Sequence, residues 1–282
     1  MMGASNRRRF LTSAASLAGL AALRPLVPFA AGAFKSAVSI SMLPPELSLL
    51  ERFRLASDAG FSAVEMRTVK DQTGAERVRE AAERCGLRIP AVVNTGRQRC
   101  PLSSPDRDVV RQGVAIMQGS LRNARLWGAE AVLIAPSAAG PRTSYRDAWT
   151  RSQHVIREQI LPLARDLDVV IAIEDVWDGF VIAPSEFGRY VDAFASPWVK
   201  AGFDSDRAAF YAAPQDWIRA LGPRLVNVRA RHVHAGASGI EWNAVRTALG
   251  EIAYDGWITA EIAGGNTSVL EVGTALRRHF RT

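Results

Sequence analysis

From Lys35 onward, short apolar runs rich in β-branched residues alternate with stretches whose apolar positions recur every three or four residues. The runs predict strands at Ala37 to Met42, Ala63 to Met66, Ile89 to Asn94, Ala131 to Ala135, Val169 to Glu174, Val199 to Phe203, Leu225 to Ala230 and Trp257 to Ile262. Between them, Val110, Val114, Met117, Leu121 and Ala124 line one face of a helix, as do Trp242, Val245, Leu249 and Ile252. Several helical stretches stop at Gly60, Gly86, Gly128 or Gly222, where a left-handed cap suits glycine. Eight strand-then-helix units joined by right-handed crossovers close into one α/β domain, a (β/α)8 TIM barrel. A doubly wound open sheet is the alternative. It is disfavoured because no G-x-G-x-x-G follows the first strand.

Composition supports a folded chain, with 48% hydrophobic and 22% charged residues. The net charge of +7 misleads, because the first 24 residues hold four Arg and no acid, leaving +3 for the rest. Lys and Arg are otherwise scattered instead of gathered on one helix, so no nucleic-acid partner is expected. Arg7, Arg8 and Arg9 precede Phe10-Leu11, an apolar run follows to Leu23, and Ala31-Gly32-Ala33 has the small-x-small form of a cleavage site. Residues 1–33 therefore look like a twin-arginine export signal, with the twin-arginine translocase as partner and a periplasmic or secreted destination. The run ends at Arg24, short of the roughly 20 residues that span a bilayer, so cleavage is favoured over anchoring and no stable membrane span is expected. The barrel is assigned to residues 34–282. Cys85, at a helix end, and Cys100, beyond the third strand, are separated by about 20 Å of extended chain, so no disulfide is expected between them.

In this fold, chemistry sits at the carboxyl ends of the strands and in the loops after them. Glu174 ends the fifth strand, Asp204 follows the sixth and Glu261 ends the eighth. One such acid can cap a helix or pair with an Arg. Three converging on one mouth repel one another unless a metal or a cationic side chain neutralises them. Glu65, at the end of the second strand, is expected to reach substrate or to pair with Arg67.

Further local patterns are Ser39-Ile40-Ser41-Met42-Leu43-Pro44, Gly60-Phe61 through Val64-Glu65, Pro101-Leu102-Ser103-Ser104-Pro105-Asp106 and Ile173-Glu174-Asp175-Val176-Trp177-Asp178 with Pro184-Ser185. Gln215-Asp216-Trp217-Ile218 and Tyr254-Asp255-Gly256-Trp257 through Glu261-Ile262 complete the set. In these the chain resembles the xylose-isomerase-like barrel superfamily of sugar (phosphate) isomerases and epimerases, especially its hexulose-6-phosphate isomerase and L-ribulose-5-phosphate 3-epimerase branch. The resemblance implies one divalent cation (Mn, Mg or Zn) held by Glu174, Asp204, a His on strand seven and Glu261. It also implies Glu174 and Glu261 as the groups that move a proton between adjacent carbons of a ketose-like sugar.

The third ligand is missing, because Arg229 stands where the His is expected. A guanidinium cannot deprotonate, so it should repel a cation, and it can pair with a carboxylate in the cation's place. His232 or His234 could fill the position only by a strand shift, and alternation turns His232 outward if Arg229 and Arg231 face inward. Arg207 and Arg99 also replace expected family residues, and Asp178 replaces an Asn. Glu65, Arg99, Trp177, Arg207, Arg229 and Arg231 are the expected substrate-binding residues. Trp177 and Trp217 either stack on a sugar or pack loops over the barrel. His154 and His279 are expected at the surface, and Gly264-Gly265 is read as an ordinary turn in preference to a phosphate site.

Two readings follow. One is an exported sugar isomerase or epimerase with a divalent-metal or metal-replaced site. The other is a non-catalytic barrel that binds a sugar acid or another anionic carbohydrate through Arg99, Arg207, Arg229 and Arg231. A base-excision endonuclease of the same superfamily needs His ligands on strands two and three, which are absent.

Overall fold

The computed structural model describes residues 34–96, 99–136, 143–174, 180, 183–233, 239–261 and 268–280. Its eight strands are β1 (Lys35–Ser39), β2 (Ala63–Arg67), β3 (Ala91–Val93), β4 (Ala131–Ile134), β5 (Val170–Glu174), β6 (Val199–Asp204), β7 (Leu225–Arg231) and β8 (Trp257–Glu261). All pair in parallel with their sequence neighbours, and β1 pairs with β8, so the sheet closes into the expected (β/α)8 barrel.

The helices are α1 (Leu49–Asp58), α2 (Gln72–Cys85), α3 (Arg107–Trp127), α4 (Tyr145–Val155), α5 (Leu161–Leu167), α6 (Pro184–Asp192), α7 (Ser205–Tyr211), α8 (Pro214–Leu221), α9 (Trp242–Glu251) and α10 (Val269–Phe280). A π-helical turn, Ile156–Ile160, joins α4 to α5. The apolar stripe of α3 behaves as its spacing requires, with Val114, Met117, Leu121 and Ala124 buried. Gly86 and Gly128 end α2 and α3 in the left-handed region, where a side chain would be strained.

The strand bounds differ from the sequence reading for local reasons. Strand β1 stops at Ser39 because Ile40–Met42 winds into a 3-10 turn, with the Ser39 hydroxyl accepting from the Ser41 amide. Strand β3 is cut to three residues between Pro90, which has no amide hydrogen, and Asn94, whose side chain accepts from the Gly96 amide. Strands β6 and β7 each run one residue further, to Asp204 and Arg231, because those residues still find register partners in Arg229 and Glu261.

Two cores result. Outward strand residues and the helix stripes form one large apolar layer, while Ala91, Val93, Ala131, Leu133 and Ala172 form a small cluster of inward-facing residues. With small alanines on that inner face, the upper barrel has room for large polar side chains. Cys85 and Cys100 are free thiols. Among the described residues, no helix is long and apolar enough to cross a membrane. The export signal expected at residues 1–33 lies outside the described residues.

Candidate active site

Alternation places Glu65, Arg67, Glu174, Asp204, Arg229, Arg231 and Glu261 on inward positions at the carboxyl ends of their strands. The three acids expected to converge do so, but around guanidinium groups. Arg229 Nη1 lies 3.3 Å from Glu174 Oε1 and 3.1 Å from Glu261 Oε2. Its Nη2 donates to Glu65 Oε1 at 2.5 Å. Arg231 Nη2 donates to the same Glu261 oxygen at 2.8 Å, and its Nε approaches Asp204 Oδ2 at 2.8 Å, off the hydrogen-bond axis. Gly202, paired across the sheet with Glu174, has no Cβ to crowd this layer; one there would come within 3.2 Å of Leu133 and 3.7 Å of Glu174.

Burial grades the cluster. Glu65 and Asp204 are wholly buried, Glu174 and Arg229 are 2% exposed, and only Arg231 and Glu261, at 16% each, face the mouth. Burial pushes the Glu65 carboxyl up to about 7 against the opposing pull of Arg229, and Glu261 and Glu174 add to the rise. Burial likewise raises Asp204 against Arg231, Arg207 and Arg229. Burial pulls Arg229 downward, but Glu65, Glu174 and Glu261 outweigh it and hold the guanidinium above its ordinary value. Asp204 also caps α7, accepting from the Asp206 and Arg207 amides at 3.2 and 3.3 Å.

These placements correct several expectations. Glu65 pairs with Arg229 instead of Arg67, and with Arg229 it is sealed beneath the other acids, so neither presents a substrate contact. Arg207 is buried with its Nε 3.7 Å from Asp204. Arg99 stands apart from the acids and lines a cavity of about 680 Å³ with Arg67, Lys70, Asn94, Gln112 and Ile116, beyond β2 and β3. Trp217 is 1% exposed and packs on Phe187, so it is a packing residue. His154 is exposed as expected, whereas His279 is partly buried and its ring packs on Trp242. Trp177, Asp178, His234 and Gly264-Gly265 lie outside the described residues.

The sequence reading missed Lys70 in the cavity and the pair between His232 Nδ1 and Asp206. His232 leaves β7 with a positive φ of 50°, a left-handed conformation uncommon outside glycine that His adopts more readily than most residues. Arg67 could have been found, because it shares inward parity with Glu65.

The residues present do not fit the divalent cation that the resemblance implies. An oxygen-ligated cation needs about 2.0–2.6 Å to each ligand, and the region between Glu174 and Glu261 is taken by a guanidinium nitrogen with no lone pair to give. Among the described residues, no group of three or more His, Cys, Asp or Glu side chains is arranged to hold a metal ion.

Fold and mouth together define a (β/α)8 barrel with a buried acid and guanidinium cluster where such barrels carry their chemistry. The chain belongs to the Xylose isomerase-like TIM barrel family, which it matches over residues 53–279. It is 25% identical over 169 residues to the L-ribulose-5-phosphate 3-epimerase UlaE of Escherichia coli O1:K1 / APEC, covering 55% of this chain. The chain spans 58% of that relative's length. Among solved structures it is similar to a D-psicose 3-epimerase crystallised with D-fructose, at TM-score 0.74 and 17% identity, covering 88% of this chain and 97% of that one. It is also similar to the 3-keto-D-glucoside 4-epimerase YcjR of E. coli, at TM-score 0.77 and 14% identity, covering 88% of this chain and all of that one. At such identities the structural likeness establishes the fold.

Proposed function

We propose that this protein is an exported sugar isomerase or epimerase that shifts a proton between adjacent carbons of a ketose-like sugar, with the Arg231 guanidinium facing the developing oxyanion. The observation that carries this reading is the contact of Arg229 and Arg231 with Glu261 and of Arg229 with Glu174 at the barrel mouth. Proton abstraction beside a carbonyl needs a base and a donor facing the oxygen that becomes negative. Glu261 is the accessible base, Arg231 is the accessible donor, and Glu174 behind them is the second carboxylate. The family and its sugar-epimerase relatives support the same class of reaction. Export rests on the paired arginines before Phe10-Leu11.

The test is solvent exchange. Purified protein incubated with D-fructose, D-psicose or L-ribulose in deuterium oxide should incorporate deuterium beside the carbonyl, measured by mass spectrometry. Glu261→Gln should slow exchange by about 10²-fold or more. No incorporation by the wild-type protein into any ketose would sink the proposal.

The cavity favours a second reading, a barrel that only binds an anionic carbohydrate. Among the described residues, Arg67, Lys70 and Arg99 line it with no carboxylate in its walls, and none of the three has an ion-pair partner. Arg229, enclosed by Glu65, Glu174 and Glu261, leaves the set expected to bind that anion. Calorimetry with D-glucuronate against neutral D-fructose separates the readings. Tighter binding of the acid, lost in Arg99→Ala and unaccompanied by exchange, would establish the binder.

A further inference from the structure

We infer that Arg229 is the built-in counter-ion of this barrel, a fixed organic cation that makes the site independent of divalent metal. This deepens the proposed function, since it concerns the same acids, but it is read out by metal binding and not by turnover.

Each carboxylate of the cluster already has a cationic partner. Arg229 divides its two terminal nitrogens among three acids, with Nη2 on Glu65 and Nη1 shared by Glu174 and Glu261. Arg231 spans Asp204 and Glu261. A metal ion entering between Glu174, Asp204 and Glu261 would have to push both guanidiniums off these oxygens. Arg231 can swing toward water. Arg229 cannot, because it is 2% exposed and anchored from beneath by Glu65, which has no exposure at all. Nor can it step aside by losing its proton, since a guanidinium stays charged in proteins. Displacing it would leave a buried cation without a partner, a severe penalty. Glu65 is therefore a positioning residue: it keeps Arg229 upright in the middle of the acids.

The choice is thereby localised to one interacting pair. Removing Glu65 and Arg229 together takes away both partners of the buried pair, so neither is left in the barrel without the other. The double variant Glu65→Gln with Arg229→His puts an imidazole on the inward position of β7 and frees the facing oxygens of Glu174 and Glu261.

The experiment uses the full chain and Co²⁺, whose visible absorption reports inner-sphere ligands. Wild-type protein dialysed against Co²⁺ should retain no stoichiometric ion by elemental analysis, and neither Co²⁺ nor a chelator should move its Tm. The double variant should take up Co²⁺ with a ligand-field band and a raised Tm. A wild-type protein that retains the ion and loses Tm on chelation would overturn the inference. So would a double variant with wild-type circular dichroism and no cobalt band. If the double variant does not fold, the wild-type measurement decides alone. Absence of deuterium exchange together with absence of metal in the wild type would defeat the proposed reaction and leave this inference intact.

Discussion

Burying a guanidinium beside carboxylates costs several kcal/mol per ion in desolvation, which close and multiple pairing must offset. Arg229 has three carboxylates within 3.3 Å. Arg229→Met leaves Glu65, Glu174 and Glu261 facing one another, and is expected to destabilise the fold by about 3–5 kcal/mol, measured by urea unfolding. An unchanged midpoint would mean that the acids relax at little cost. Glu65 makes the cluster sensitive to pH. Its folded carboxyl is raised from 4.5 to about 7 by burial, against Arg229 of β7 and with Glu261 of β8 and Glu174 of β5 adding to the rise. The folded state then binds the proton more tightly than the unfolded chain does. The contribution is complete below about 4.5 and is lost as pH rises through about 7. Asp204, also raised, acts in the same sense. Urea midpoints should fall between about pH 5 and about pH 8, and Glu65→Gln should make that fall shallower. Equal slopes in the two proteins would assign it to other groups.

The elements that carry these residues were largely legible, because a strand's period of two and a helix's period of 3.6 are written locally. All eight strands lie where the apolar runs place them, and inward parity correctly turned Arg231 toward the acids and His232 away from them. The contact between Glu65 and Arg229 was not legible. They are 164 residues apart, and only closure of the whole sheet puts β2 and β7 in reach of each other across the barrel. The packing of the His279 ring on Trp242 was not legible either, because it depends on where α9 and α10 meet, which one helix's pattern does not encode. Helix packing also shapes the cavity. In α3, a Cβ on Gly113 would lie 2.4 Å from the Cys100 carbonyl oxygen, so the helix and the segment carrying Arg99 touch backbone to side-chain-free backbone. Gly113→Ala should push that segment outward, costing about 1–3 kcal/mol by urea unfolding and weakening D-glucuronate binding if the cavity is its site. Unaltered stability would show that the segment yields freely.

For the whole molecule, closure depends on β1, which is hydrogen-bonded to β2 on one side and β8 on the other. The ladder begins at Lys35, and Phe34 just before it packs edge-on against Phe280 of α10, joining the first and last described residues of the barrel. The proposed cleavage after Ala33 would thus leave Phe34 and its contact with Phe280 in place. A chain beginning at Phe34 should melt within about 2 °C of the full-length protein, the smallest shift expected from a change of about 1 kcal/mol at this size. A chain beginning at Ile40 loses both ladders and uncovers the edges of β2 and β8, so it should show no cooperative transition by circular dichroism. If the chain beginning at Phe34 instead melted far below the full-length protein, residues 1–33 would be contributing to the stability of the barrel. The division into a removable export signal and a self-sufficient barrel would then be wrong. The Phe34→Ala variant of the shortened chain refines the comparison, because it removes the Phe280 contact while leaving both ladders in place. It should lower the midpoint without abolishing cooperativity, whereas loss of β1 should abolish it.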